Sequence, residues 1–283
     1  MTTIDDLTRL VPPPRSPVAA RGDWAQVESA LGLALPADFM ALVERYGTGQ
    51  FVDFVTPLNP FGDGSPLLQW SRRILAEESE SREEYPEEHP HPYYPEPGGL
   101  LMWAGTDNGD RLCWLTQGAP HTWRTVAWNP RGHGWSVHPF GAVAFLHHWL
   151  SGETAVQGLL PAPETAQPWF DPFVERVHVN IRLVGPPRDD PDYPERLRIL
   201  RAALAPTVDR GGVDDGDGIR QDHFDVPERR WKLTYETAYG HQIRLGHPPA
   251  DEEHARTALL AAVRAMGCTV ERVTTRLGEP AWR

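Results

Sequence analysis

The stretch "GGLLMWAGTDNGDRLCWLTQG", from Gly98 to Gly118, constrains the fold more than any other part of the chain. Leu101 and Trp103 alternate with other residues before Asp107-Asn108-Gly109-Asp110, and Leu112 and Trp114 alternate after it. Turn residues bracketed by period-two apolar runs specify a β-hairpin, and that commits this half of the chain to an antiparallel sheet. The carboxylates at the tip admit a second reading as a cation loop. An EF-hand loop needs oxygen ligands at positions 1, 3 and 5, glycine at 6 and glutamate at 12. Counted from Asp107, position 3 is Gly109 and position 12 is Gly118, so the spacing fails and the stretch reads as a turn.

Helices precede the hairpin. Asp23 caps one, with Gln26 three residues on and Trp24, Val27, Ala30 and Leu31 on one face. Pro36 opens the next, Phe39, Leu42, Val43 and Tyr46 form its stripe, and Gly47 ends it. "GQFVDFVTPLNPFG" reads as a strand leaving through turns. Ser65-Pro66 begins a third helix carrying Leu67, Trp70 and Ile74, which is expected to dissolve into "AEESESREEYPEEHPHPYYPEP". After the hairpin, "TWRTVAWNP" and "GWSVHPF" read as strands and "GAVAFLHHWLSGE" as a short helix. "PAPETAQP" reads as a linker.

Beyond it the rhythm changes. "ERVHVNIRLV" alternates as a strand, and "YPERLRILRAALAP" is helical with Leu197, Leu200 and Leu204 in register. "RRWKLTYETAYGHQIRLGHPP" gives two strands around Tyr239-Gly240, "DEEHARTALLAAVRAMG" a helix, and "CTVERVTT" a last strand. The order βαββαβ is that of a ferredoxin-like split βαβ unit. The expected fold class is therefore α+β in two domains, 1–160 and 161–283.

Charge divides the chain in the same place. Residues 1–165 hold 10 arginines against 20 acids, and residues 166–283 hold 17 basic residues against 19 acids. An acidic first half repels nucleic acid and suits a basic partner. No stretch approaches the ~20 apolar residues of a membrane helix, and the N-terminus has no apolar signal region, so a cytoplasmic protein is expected, without membrane contact.

Catalytic constellations are not legible. Cys113 and Cys268 fall in different domains and read as small core residues. His89 and His91, beside Glu87 and Glu88, lie two apart in a proline-rich loop, a poor geometry for sharing a metal. His133 and His138 bracket a strand, and His147 and His148 point different ways on a helix; surface or capping roles suit them. "GVDDGDGIRQDHFD", Gly212 to Asp225, holds a second carboxylate cluster, but counting from Asp215 through Asp217 puts Ile219 at the fifth loop position. It reads as a solvated loop. No serine-nucleophile signature occurs, so the expectation is no enzyme, no metal and no cofactor.

Two features point toward protein binding. Trp24, Trp70, Trp103, Trp114, Trp123, Trp128, Trp135 and Trp149 crowd the first half, most of them expected in the core and a few available as anchors. Glu77, Glu78, Glu80, Glu83, Glu84, Glu87 and Glu88 place seven glutamates in twelve positions. That run reads either as a solvated helix end and loop or as an acidic surface for a basic partner, with Trp70 as a neighbouring apolar anchor.

The succession Trp24…Leu31-Gly32…Leu35-Pro36…Phe39…Tyr46-Gly47, then Pro60-Phe61, Gly98-Gly99-Leu100…Trp103, Asp107…Gly109-Asp110, Trp123, Trp128 and Phe145-Leu146…Trp149-Leu150 resembles the SUKH superfamily over about Asp23 to Gly152. The superfamily includes fungal cell-wall-assembly regulators and bacterial immunity proteins. The resemblance implies a mostly antiparallel sheet flanked by helices, no catalytic residues, and a protein toxin as partner. Its alternative implication is a non-catalytic regulatory scaffold of the cell-wall-assembly type. An enzyme with chemistry in the C-terminal half is the third reading.

Overall fold

The computed structural model describes residues 2–132, 134–152, 157–162, 167–185, 191–216 and 218–282. His133 and Asp217, weighed above, and parts of the expected linker lie outside them. The chain divides into two units, one ending at Phe173 and one beginning at Val174.

In the first unit, α1 (Ile4–Leu10) starts at a capping box formed by Thr3 and Asp6, a helix the sequence reading did not include. Asp23 caps α2 (Trp24–Leu31), which stops at Gly32 with φ +67°. The α3 helix (Ala37–Tyr46) begins after Pro36 and buries Phe39, Leu42, Val43 and Tyr46, the expected stripe. Strands β1 (Gly49–Phe51) and β2 (Val55–Pro57) form a short hairpin before α4 (Pro66–Glu84). Then come β3 (Leu100–Thr106), β4 (Arg111–Leu115), β5 (Arg124–Asn129), β6 (Gly134–His138), α5 (Ala142–Ser151) and β7 (Phe170–Pro172). The sheet runs β6-β5-β4-β3-β2-β1-β7, with every neighbouring pair antiparallel.

The β3–β4 hairpin sits at the centre of this sheet. Gly109 takes φ +84° in its turn, the Thr106 hydroxyl donates to Asp110 at 2.9 Å, and the Asp110 N–H donates back to Thr106 at 3.0 Å. Asp110 is buried and committed to the turn. One face of the sheet packs on α3 and α5: Phe39 meets Trp114 edge-on at 4.8 Å, and Phe145 meets Trp103 at 6.0 Å. Each of these tryptophans removes on the order of 200 Å² from water, the largest single contributions available to a core. Asp38 of α3 reaches across to accept the Val143 N–H at the start of α5, at 3.2 Å. Burial raises the Asp38 carboxyl above its ordinary pKa.

The expected boundary at 160/161 falls too early. Leu160 O accepts the Trp149 indole N–H at 2.8 Å, Trp169 O accepts the Val52 N–H at 3.0 Å, and Phe170 packs on Tyr46 and Phe51 at 5.1 and 4.9 Å. The segment after α5 therefore completes the first core. Its prolines hid a three-residue strand.

The second unit contains β8 (Val177–Val184), α6 (Tyr193–Ala203), β9 (Val208–Asp214), β10 (Arg220–Val226), β11 (Trp231–Glu236), β12 (Gln242–His247), α7 (Glu252–Ala265) and β13 (Thr269–Thr275). Its antiparallel sheet runs β13-β8-β12-β11-β10-β9. The first four strands in that order reproduce the split βαβ arrangement. Leu200, Leu204, Leu259 and Val263 of the α6 and α7 segments share one core with Val179, Ile181, Leu233, Ile243 and Leu245.

The addition is the β9–β10 hairpin, inserted between α6 and β11. It corrects the reading of Gly212 to Asp225 as a loop: Asp222 pairs with Tyr235, and Gly212 pairs with Asp222. β9 is exposed at nearly every position, so it shows no apolar alternation. Among the described residues, no helix is long and apolar enough to cross a membrane.

Candidate interaction surface

The glutamate run is helical further than its composition suggests. α4 extends through Glu84, and Glu87 and Glu88 follow in a single 3-10 turn, Pro86–Glu88. Leu67, Ser71 and Ile74 are buried, and Glu78, Ser81 and Arg82 continue that stripe half-buried. Apolar packing thus holds the first half of the helix and polar contacts hold the second.

Arg111, on β4, is the main fastening. Its guanidinium donates to Glu78 at 2.8 Å and to Glu77 at 3.1 Å, and it lies 4.5 Å from the centroid of the Trp128 ring. Trp128 in turn stacks on Trp135 at 4.4 Å, so cation, ring and ring form one pile across β4, β5 and β6. Arg73 also pairs with Glu77. A second fastening is the bidentate pair from Arg82 to Glu96, at 2.6 and 3.1 Å. That contact lowers the Glu96 carboxyl and raises the Arg82 guanidinium. His89 bridges Ser81 at 3.0 Å and the buried Tyr93 hydroxyl at 2.6 Å, tying the turn after α4 to the chain entering β3.

The structure therefore splits the seven glutamates. Glu77 and Glu78 face arginines and hold the helix down. Glu80, Glu83 and Glu84 of α4 and Glu87 of the turn after it are exposed. Glu88 is half-buried, and its carbonyl accepts the Trp135 indole N–H at 2.9 Å.

Trp70 is not an open anchor. It packs against the first core, with the Arg73 guanidinium 4.7 Å from its ring. The exposed aromatic is Tyr85, 44% exposed at the end of α4, its hydroxyl donating to Glu84 at 2.8 Å. That hydrogen bond holds the Tyr85 hydroxyl above its ordinary pKa. The signal for it was a tyrosine in "REEYPEE" with no apolar residue nearby to pack it.

The other candidates disperse. His89 is taken by Ser81 and Tyr93, while His91 lies edge-on to Trp135 at 5.8 Å, its pKa lowered by burial; the two do not converge. His138 meets Ser136 at 3.0 Å, and His148 stacks on Phe140 at 4.3 Å. Cys113 is buried and its thiol is pushed up to about 12, which keeps it protonated and inert. Of the eight tryptophans, Trp103, Trp114, Trp123, Trp128 and Trp149 are buried and Trp24, Trp70 and Trp135 half-buried.

Against known families, the SMI1-KNR4 cell-wall model of the SUKH_6 group matches residues 21–140. The first unit is a SUKH domain. The match runs from the capped start of α2 through β6, so it contains the acidic helix, Arg111 and the central hairpin. The SUKH domain is completed here by α1, α5 and β7, which lie outside the matched span. No curated protein and no solved structure matches the chain.

Proposed function

We propose that this protein is a cytoplasmic immunity protein that binds a cognate polymorphic or contact-dependent toxin and blocks its active site by occupancy, without catalysis, metal or cofactor. Membership of the SUKH domain carries this reading. The exposed end of α4 and the turn after it support it: Glu80, Glu83, Glu84 and Glu87 are exposed acids close in sequence to the exposed Tyr85. Such a face suits a basic toxin surface, with tyrosine as the apolar contact that charge alone lacks. The roles then divide within one helix, Glu77, Glu78 and Trp70 holding the platform and the outer residues meeting the toxin.

Electrostatic complementarity acts mainly on association and is screened within a Debye length of about 8–10 Å. The quadruple change of Glu80, Glu83, Glu84 and Glu87 to lysine should leave the fold intact and slow toxin association about tenfold or more at low salt. The test is co-expression with any toxin-like protein found encoded beside it in its native host, read by survival and by binding kinetics. Loss of protection on expressing the quadruple variant supports the reading; full protection at an unchanged association rate overturns this surface as the interface. The cell-wall association of the matched family favours one other reading, a regulatory scaffold. Capture of cell-wall synthesis proteins with no protection against any neighbouring toxin would establish it.

A further inference from the structure

We infer that β6 of the SUKH domain is the pairing edge for a second copy of this chain, the two β6 strands lying antiparallel about Ser136. A sheet edge offers unpaired backbone N–H and C=O groups, and proteins blunt such edges with short strands, proline, charge, bulges or a covering segment.

Among the described residues, three of the four sheet edges carry those devices. β7 has three residues, with Asp171 and Pro172 among them. β9 carries Asp209, Arg210 and Asp214, and its register breaks between Asp222 and Phe224 of its partner, where Gly211 takes φ +92°. β13 is broken at Glu271, and the returning chain covers it through Ala281 N–H to Val273 O at 3.0 Å. β6 carries none: Gly134-Trp135-Ser136-Val137-His138 has no proline and no Asp, Glu, Lys or Arg, and it pairs with β5 in unbroken register. Among the described residues, no backbone group pairs with its outer side.

The side chains select the occupant. Trp135 and Val137 lie on one face, and Val137 is 42% exposed, a β-branched residue left open beside a half-buried indole. Antiparallel pairing about Ser136 sets Trp135 of each copy opposite Val137 of the other, an aromatic to β-branched cross-strand pair, twice by symmetry. Ser136 then faces Ser136 and Gly134 faces His138, so no like charges are opposed. Gln157 and Gly158 leave the edge clear. Gln157 O accepts the Ser136 hydroxyl, and a side chain on Gly158 would meet Ser136 Oγ at 2.7 Å and Ala127 O at 3.7 Å, which places that segment over β5 and β6 on the opposite face. The rings of Trp128 and Trp135, already stacked, support the strand from the Val137 side.

The experiment measures the mass of the full chain across a concentration series by sedimentation. Wild type should show a concentration-dependent dimer, and Val137→Lys, at an exposed position, should weaken it at least about tenfold. Ser136→Cys should give a disulfide-linked dimer under mild oxidation, because opposed residues in an antiparallel pair lie within ~4.5–5.5 Å between Cα atoms and both native cysteines are buried. A chain that stays monomeric at about 200 µM, a dimer indifferent to Val137→Lys, or the failure of Ser136→Cys to cross-link would each overturn the inference.

Discussion

Charge reversal along α4 should separate two sets of glutamates that look alike in sequence. Changing Glu77 and Glu78 to lysine removes both acceptors of Arg111 and sets two ammonium groups against a guanidinium whose side chain is only 13% exposed. Glu78 is 16% exposed and its hydrogen bond to a charged donor is worth about 2 kcal/mol; Glu77, at 32%, is more screened and contributes about 1 kcal/mol. The pair should therefore destabilise the first unit by about 3 kcal/mol. For a unit of this size, that is a fall in Tm of roughly 6–12 °C. The measurement is thermal unfolding followed by calorimetry, with urea titration as a second estimate. Reversal of Glu80, Glu83, Glu84 and Glu87, under the same protocol, should move Tm little. A cycle combining Arg111→Met with Glu78→Gln should show coupling above about 1 kcal/mol. Equal losses from both sets, or coupling below about 0.5 kcal/mol, would refute the division of the helix into anchoring and free carboxylates.

Asp38→Asn keeps an acceptor for Val143 but removes a carboxyl whose folded pKa is raised by burial. A raised carboxyl stabilises the fold below its unfolded value, and that contribution is lost as pH rises through the folded value. The stability of the Asn variant relative to wild type should thus increase from the ordinary aspartate value of 3.8 upward toward neutrality; a difference independent of pH, followed by denaturant titration, counts against the assignment. A fragment ending at residue 160 lacks Phe170, which packs on Tyr46 and Phe51, and should melt well below one ending at 173. Phe170→Ala alone should cost about 3 kcal/mol, read in the same melts, whereas equal Tm values would show that β7 is dispensable.

Legibility followed the range of the interaction. The hairpin, α2, α3 and α5 were readable because turn residues, caps and apolar periods lie within a few positions of one another. The second half of α4 is not legible because it is held by Arg111, more than thirty residues away, and no local period reports an ion pair. β9 is not legible because a strand exposed on both sides shows no alternation, and its glycines and aspartates imitate a loop. The seven glutamates could be found from sequence, but not sorted. Which carboxylates remain outward depends on where a strand places one arginine.

The first sheet is laid down mostly in chain order, each strand from β2 to β6 pairing with its immediate predecessor. Apart from β2–β3, which spans α4, such contacts are local and close quickly. β7 is the exception: it returns to β1, with Phe170 opposite Phe51, and closes a loop of more than a hundred residues. Loop-closure entropy makes that pairing the costly late event. During synthesis the SUKH domain therefore spends an interval with its meander assembled and the β1 edge bare, until the chain as far as Pro172 has emerged. Any slow-folding population should be one in which β1 is still unpaired on that side.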